Sequence, residues 1–288
     1  MPPITIIGCG YVGTRLAMQI RQQAPSVLGV VRSEASARHL QDLGISARAV
    51  DLDTAPSPAV EGHWVFYFAP PATSGEGDQR IGHWLHSLAM QEPAKIVLIS
   101  TTGVYGDCGG RWITETAALN PQTERASRRI DAERQLQQWC DTRQVPCSIV
   151  RVPGIYGPRR LPRARLEQGL PVLAEAESPY SNRIHVDDLV RTCLSAAANN
   201  DFTGVVHVSD GQTSTMTDYF NSVADALGLP RPQQISRAEA RKILRGEMLS
   251  YLADSKRLDI TRMRTELGVE PDYADLDQGL SHCVASEK

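Results

Sequence analysis

The order of apolar and polar positions divides the chain into alternating short strands and longer helices. Residues 4–7 are an apolar run that stops at Gly8, after which Val12, Leu16 and Ile20 recur at helical spacing. The alternation repeats, with strands at 27–31, 47–50, 64–68, 95–100 and 147–152 and helices at 37–43, 78–90 and 123–143. Residues 64–68 (Trp-Val-Phe-Tyr-Phe) are continuously apolar, which suits a strand buried on both faces. Ala126, Ile130 and Leu136 mark the apolar side of the last helix. Such alternation predicts a parallel sheet with right-handed crossovers and helices on both faces. Past Pro153 the pattern loosens: a turn at 154–158, a basic, proline-punctuated loop at 159–165, and a helix at 184–198 after a short strand. A seventh strand at 205–208 returns to the sheet, and helices follow at 216–227, closed by Gly228, and at 257–267, stopped by Gly268. The expected class is α/β, a doubly wound parallel sheet over 1–153. Residues 154–288 form mainly a smaller substrate lobe, of which about 184–209 rejoins the sheet.

The first strand-to-helix junction carries chemistry. Gly8-Cys9-Gly10-Tyr11-Val12-Gly13 sits where a Rossmann dinucleotide fold places its phosphate turn. Gly8 allows the sharp turn, Gly10 lets a pyrophosphate approach, Gly13 packs helix on strand, and unpaired N–H groups of the new helix meet the phosphate charge. The second strand ends in Arg32 and Ser33 rather than an acid, which favours NADP, since a guanidinium attracts a 2′-phosphate that a carboxylate repels. Glu34, next in line, keeps NAD open. Asp51 is a candidate contact for the adenine amino group, and Ala69, closing the fourth strand, joins the cofactor-binding set.

Composition narrows the partners. A 41% hydrophobic content supports a sizeable core, and a net charge of −3 with no basic stripe argues against nucleic acid or anionic membrane. No membrane-length apolar run occurs, and the first run lacks a basic flank, so neither a span nor a signal peptide is expected. Six scattered cysteines without a C-x-x-C pair indicate free thiols and a cytoplasmic setting. His83 and His86 lie three apart with no third ligand nearby, so they read as structural, and no metal is expected.

Five landmarks in order resemble the extended short-chain dehydrogenase/reductase superfamily, the NAD-dependent epimerase/dehydratase family. They are the glycine turn; Ser100-Thr101-Thr102-Gly103-Val104-Tyr105-Gly106-Asp107; the run from Arg151 through Gly154-Ile155-Tyr156-Gly157 to Pro158; Arg183-Ile184-His185-Val186-Asp187-Asp188; and Val206-His207-Val208-Ser209-Asp210. The resemblance implies a hydroxyl, tyrosine and lysine set, with the last two spaced Y-x-x-x-K. Thr101 matches the hydroxyl. Arg125 stands where the tyrosine is expected and Arg129 where the lysine is expected. Arg129 keeps a charge suited to ribose hydroxyls, whereas Arg125 holds its protons and can clamp an anion or stabilise developing oxyanion charge. Tyr105, Tyr156, Tyr180 and His185 are the candidate substitutes for the missing proton donor. Asp78 is either a site residue or the cap of its helix. The chain is most similar to atypical members with a poorly kept catalytic set.

The expected function is an NADP-favouring oxidoreductase or epimerase acting on a small polar substrate, a sugar or sugar nucleotide included. The alternative is a catalytically degenerate NADP-binding sensor or interaction protein. The helix at 123–143 carries Arg128, Asp131, Arg134 and Gln138, which gives it a polar surface and leaves both monomer and homodimer open.

Overall fold

The computed structural model describes residues 1–75, 77–243 and 254–287. Seven strands form the central sheet: β1 (Ile4–Ile7), β2 (Val27–Val31), β3 (Ser46–Ala49), β4 (Trp64–Tyr67), β5 (Lys95–Thr101), β6 (Cys147–Val152) and β7 (Gly204–His207). Their order is β7-β6-β5-β4-β1-β2-β3, and every neighbouring pair is parallel. The order reverses beside β1, so a crevice opens above the carboxyl ends of β1 and β4, where doubly wound sheets bind ligands. Residues 4, 6, 7, 65–67 and 96–98 are at most 1% exposed, because crossover helices cover both faces.

The main helices are α1 (Tyr11–Ile20), α2 (Glu34–Asp42), α3 (Gln79–Ser87), α4 (Glu124–Arg143), α5 (Val186–Ala198), α6 (Met216–Leu227) and α7 (Leu276–Ala285). One apolar cluster joins α1 and α5 to one face of the sheet and draws in Ile260, Met263, Leu267 and Val269; a second joins α3 and α4 to the other face. A separate cluster of Tyr156, Leu166, Val172, Phe220 and Leu280 packs the C-terminal half apart from the two sheet-face clusters. No helix among the described residues is long and apolar enough to cross a membrane.

Several local expectations need correction. Residues 154–158 are not simply a turn: Gly154–Tyr156 pairs in parallel with Arg183–His185 as a two-stranded ribbon, so α5 begins at Val186 rather than at 184. Residues 257–267 are not one helix. Arg257–Leu258 pairs with Trp112–Ile113, and the helix covers only Thr261–Thr265. Arg163–Glu167 is a short helix inside the expected basic loop, and Arg237–Ile243 and α7 were not foreseen.

The polar face expected of α4 is partly buried. Arg128 is 7% exposed and donates to the Gly75 carbonyl, while Asp131 accepts from the Asp78 N–H (2.8 Å) and from Gln135 (2.6 Å). These groups latch α4 to the segment that starts α3, so they leave less polar surface than the sequence suggests.

Candidate active site

The glycine turn is built as its sequence requires. Gly8 has φ +83°, and a Cβ there would lie 2.4 Å from the Ala69 nitrogen and 2.6 Å from its Cα, so only glycine fits where β1 meets the end of β4. A Cβ on Gly10 would meet nothing within 4 Å, which leaves open space above the turn. No side chain caps α1, and the N–H groups of its first turn face that space with the positive end of the helix dipole. A Cβ on Gly13 would meet Ile6 at 2.9 Å, which sets the helix-to-strand approach. Cys9 points the other way, packed toward Gly29, and burial pushes its thiol up to about 12. These features fit a dinucleotide's diphosphate.

A cleft of about 700 Å³ runs from this turn across the sheet ends to Tyr180, Arg183, Met216 and Phe220. It brings together Gly8, Gly10, Tyr11, Val12, Gly13, Thr101, Arg125 and Arg129 from the expected set. Thr101 Oγ1 accepts from the Gly103 N–H at 3.2 Å, which fixes the hydroxyl at the end of β5. The Ser100 hydroxyl turns away, donating to Glu133 beneath the sheet. Arg129 donates to the carbonyls of Ala69 (3.3 Å) and Ile99 (3.1 Å), clamping the ends of β4 and β5. Burial pulls its guanidinium down to about 10, against the opposing pull of Asp78 and Tyr67. Arg125, exposed on the first turn of α4, faces the cleft.

Other expected residues lie elsewhere. Asp78 is fully buried and caps α3, its Oδ1 accepting from Arg80 (3.1 Å) and Ile81 (3.3 Å). It does not line the cleft, and burial raises its carboxyl above the ordinary range. Tyr105 is 1% exposed and also off the cleft, its hydroxyl bonded to Arg151 and to His207 Nε2, each at 2.6 Å. Tyr156 and His185 are buried away from the opening as well, so of the four candidate proton donors Tyr180 alone lines it. Ala69 is 4% exposed and meets the site through its backbone. Ser33 caps α2 by accepting from Ser36 N–H. The Arg32 side chain is 72% exposed at the tip of β2, 3.6 Å from Asp51 and 4.0 Å from Asp53. His83 bonds the Leu52 carbonyl, a packing role.

The basic run at 159–165, a candidate anion binder in the sequence, reaches the cleft only through Arg160, and sequence reasoning missed Arg183 and Lys256 on the cleft's far side. Arg160, Arg183 and Lys256 join Arg125 and Arg129 there, against one lining carboxylate, Asp254, among the described residues. Arg183 is 5% exposed and lies 3.7 Å over the Tyr219 ring. Its Nη2 donates to Ser181 Oγ at 2.7 Å, and its Nε has no partner. Burial pulls its guanidinium down. Lys256 donates to the Gly106 carbonyl at 2.7 Å and pairs with Asp254 at 3.3 Å. The signal was split between Arg183 and Lys256, two positions far apart in the chain.

The NAD dependent epimerase/dehydratase family model matches residues 4–208, and the chain belongs to that family. It is similar over 99% of both chains to a functionally unknown conserved protein from Silicibacter pomeroyi DSS, with a TM-score of 0.85 and 26% identity. MoeE5 in complex with UDP-glucose and NAD has the same fold at 18% identity (TM-score 0.76; 98% of this chain and 97% of that one). So does UDP-glucuronic acid 4-epimerase from Bacillus cereus in complex with NAD, at 15% identity (TM-score 0.76, all of both chains). A 3-diazoavenalumate denitrifying reductase from Streptomyces sp is 30% identical over 108 residues; the match spans 38% of this chain and 35% of that protein.

Proposed function

We propose that the protein binds NADP in this cleft and transfers hydride to or from a small anionic substrate, a sugar nucleotide or a simpler carboxylate or phosphate ester. The observation that carries the substrate class is Arg183. Its guanidinium is buried with a free Nε and no carboxylate within ion-pair distance among the described residues; Asp210 and Asp218 act on it only from farther off, so an anionic ligand gains by pairing with it directly. The bound nicotinamide supplies the hydride chemistry. Arg129 offers its guanidinium to the adjoining ribose, Thr101 orients the substrate oxygen, and Arg125 stabilises negative charge developing on it. Tyr180 hands that oxygen its proton.

Arg32 supports NADP. Its exposed guanidinium is tethered only by long contacts to Asp51 and Asp53, so a 2′-phosphate can displace them at small cost. Arg32→Glu is expected to weaken NADPH binding about 10–100-fold, the value of a charge-assisted bond, and to leave NADH binding nearly unchanged. Calorimetric titration with both coenzymes checks this, and equal losses for the two would remove the assignment.

Tyr180→Phe is expected to slow NADPH turnover about 10²–10⁴-fold while coenzyme affinity holds. The assay is NADPH consumption with a panel of carbonyl-bearing carboxylates and sugar nucleotides. Undiminished turnover assigns the proton elsewhere. The second reading, a binder without chemistry, is favoured by Arg125 in the expected phenol position. It predicts tight NADPH binding with no turnover on any panel member.

A further inference from the structure

We infer that His185, Asp187 and His282 form a divalent transition-metal site that clips α7 to the start of α5. His185 is fully buried and caps α5, accepting the Asp187 N–H on Nδ1 at 3.3 Å. That bond assigns the ring proton to Nε2, which faces Cys283 Sγ at 3.7 Å. Nδ1 also lies 3.6 Å from Asp187 Oδ2, and an ion bound between them takes the lone pair that otherwise accepts the long cap bond. His282 Nε2, from α7, lies 3.8 Å from the same oxygen.

All three ligand atoms lie within 4.8 Å of one another. Bonds of about 2.0–2.2 Å in a tetrahedral centre put ligand atoms roughly 3.3–3.6 Å apart. Two of the separations are already near that value. His282, 40% exposed, has room to close the remaining gap.

The surroundings hold the ligands in place. Arg15 donates to Asp187 Oδ1 at 2.9 Å, which turns Oδ2 toward the two imidazoles. The Tyr273 ring lies 3.9 Å from that of His185, and the Tyr156 ring 5.2 Å. Two imidazoles and one carboxylate suit Zn²⁺, with Co²⁺, Ni²⁺ and Cu²⁺ as competitors for the same donors. None of the three residues lines the cleft, so the ion ties helices together rather than taking part in the hydride chemistry.

The test is calorimetric titration of chelator-treated full-length protein with Zn²⁺, paralleled by thermal unfolding and by Co²⁺ absorption. The expected result is one ion per chain, a higher melting temperature with Zn²⁺, and the intense visible bands of four-coordinate Co²⁺. His282→Gln is expected to weaken binding more than about tenfold and to cancel the thermal shift. His86→Ala, removing an exposed histidine elsewhere, is expected to bind as the unaltered protein does. Far-UV dichroism of metal-free His282→Gln separates ligand loss from misfolding. Zinc binding well below one per chain, or binding equal in folded His282→Gln and unaltered protein, overturns the inference.

Discussion

Gly10→Asp is expected to abolish NADPH binding and leave the fold intact, whereas Gly8→Ala damages both. Gly10 has φ −88°, and a Cβ there would meet nothing within 4 Å, so the added side chain enters the space above the turn rather than the core. The new carboxylate sits at the N-cap of α1, accepts the N–H groups of the first turn and takes the place of a phosphate. Like charge against the coenzyme diphosphate costs several kcal/mol, or at least about 100-fold in affinity. Gly8 has no such freedom. At φ +83° an L side chain pays roughly 1–3 kcal/mol, and its Cβ would strike the Ala69 backbone at 2.4 Å. Backbone cannot rotate away as a side chain can, so β1 and β4 must separate. Titration with NADPH and chemical denaturation of both variants read the two effects separately. Wild-type affinity in Gly10→Asp would mean that the coenzyme does not use this turn.

The contrast between these glycines also marks what the sequence discloses. The sheet was legible because its strands are buried on both faces, so residues 64–67 and 95–101 stand out as apolar runs between helical spacings. The phosphate turn was legible because its requirements are local. Arg183, Tyr105 and Glu133 were not, since each owes its role to partners distant in sequence. Arg151 reaches both Glu133 and Tyr105, and no periodicity links the three. Arg128, read from sequence as part of the polar surface of α4, is 7% exposed because it meets the segment before α3, and Glu133 is 3% exposed because it meets β6. The ribbon of Gly154–Tyr156 with Arg183–His185 is three residues long on each side, too short for a period of two to declare itself. His185 and His282 escaped for the same reason as Arg183: the spacing that matters is spatial.

Arg151→Leu is expected to be the most destabilising single change, costing about 3–5 kcal/mol, because it strands a buried carboxylate. Arg151 and Glu133 side chains are 6% and 4% exposed and meet in two bonds, Nε to Oε1 at 3.1 Å and Nη2 to Oε2 at 2.7 Å. Ser100 adds its hydroxyl to Glu133, and Arg151 Nη1 continues to Tyr105, whose hydroxyl meets His207. One polar chain thus joins the ends of β5, β6 and β7 to α4 under the floor of the cleft. Removing both charges is a different matter. Arg151→Leu with Glu133→Leu leaves no orphaned ion, and most of the loss should return, since apolar replacement of a buried pair is often neutral. The same chain makes the fold acid-sensitive. Burial lowers His207 and His185 from 6.5 to about 4, so the unfolded chain binds their protons first and these two groups take stability away as pH falls through that interval, partly offset by Asp210, which burial raises to about 6. Denaturant unfolding of the single and double variants, and of the unaltered protein between pH 7 and 4, measures each effect. A single-variant loss under about 1 kcal/mol would show that water or local rearrangement solvates Glu133.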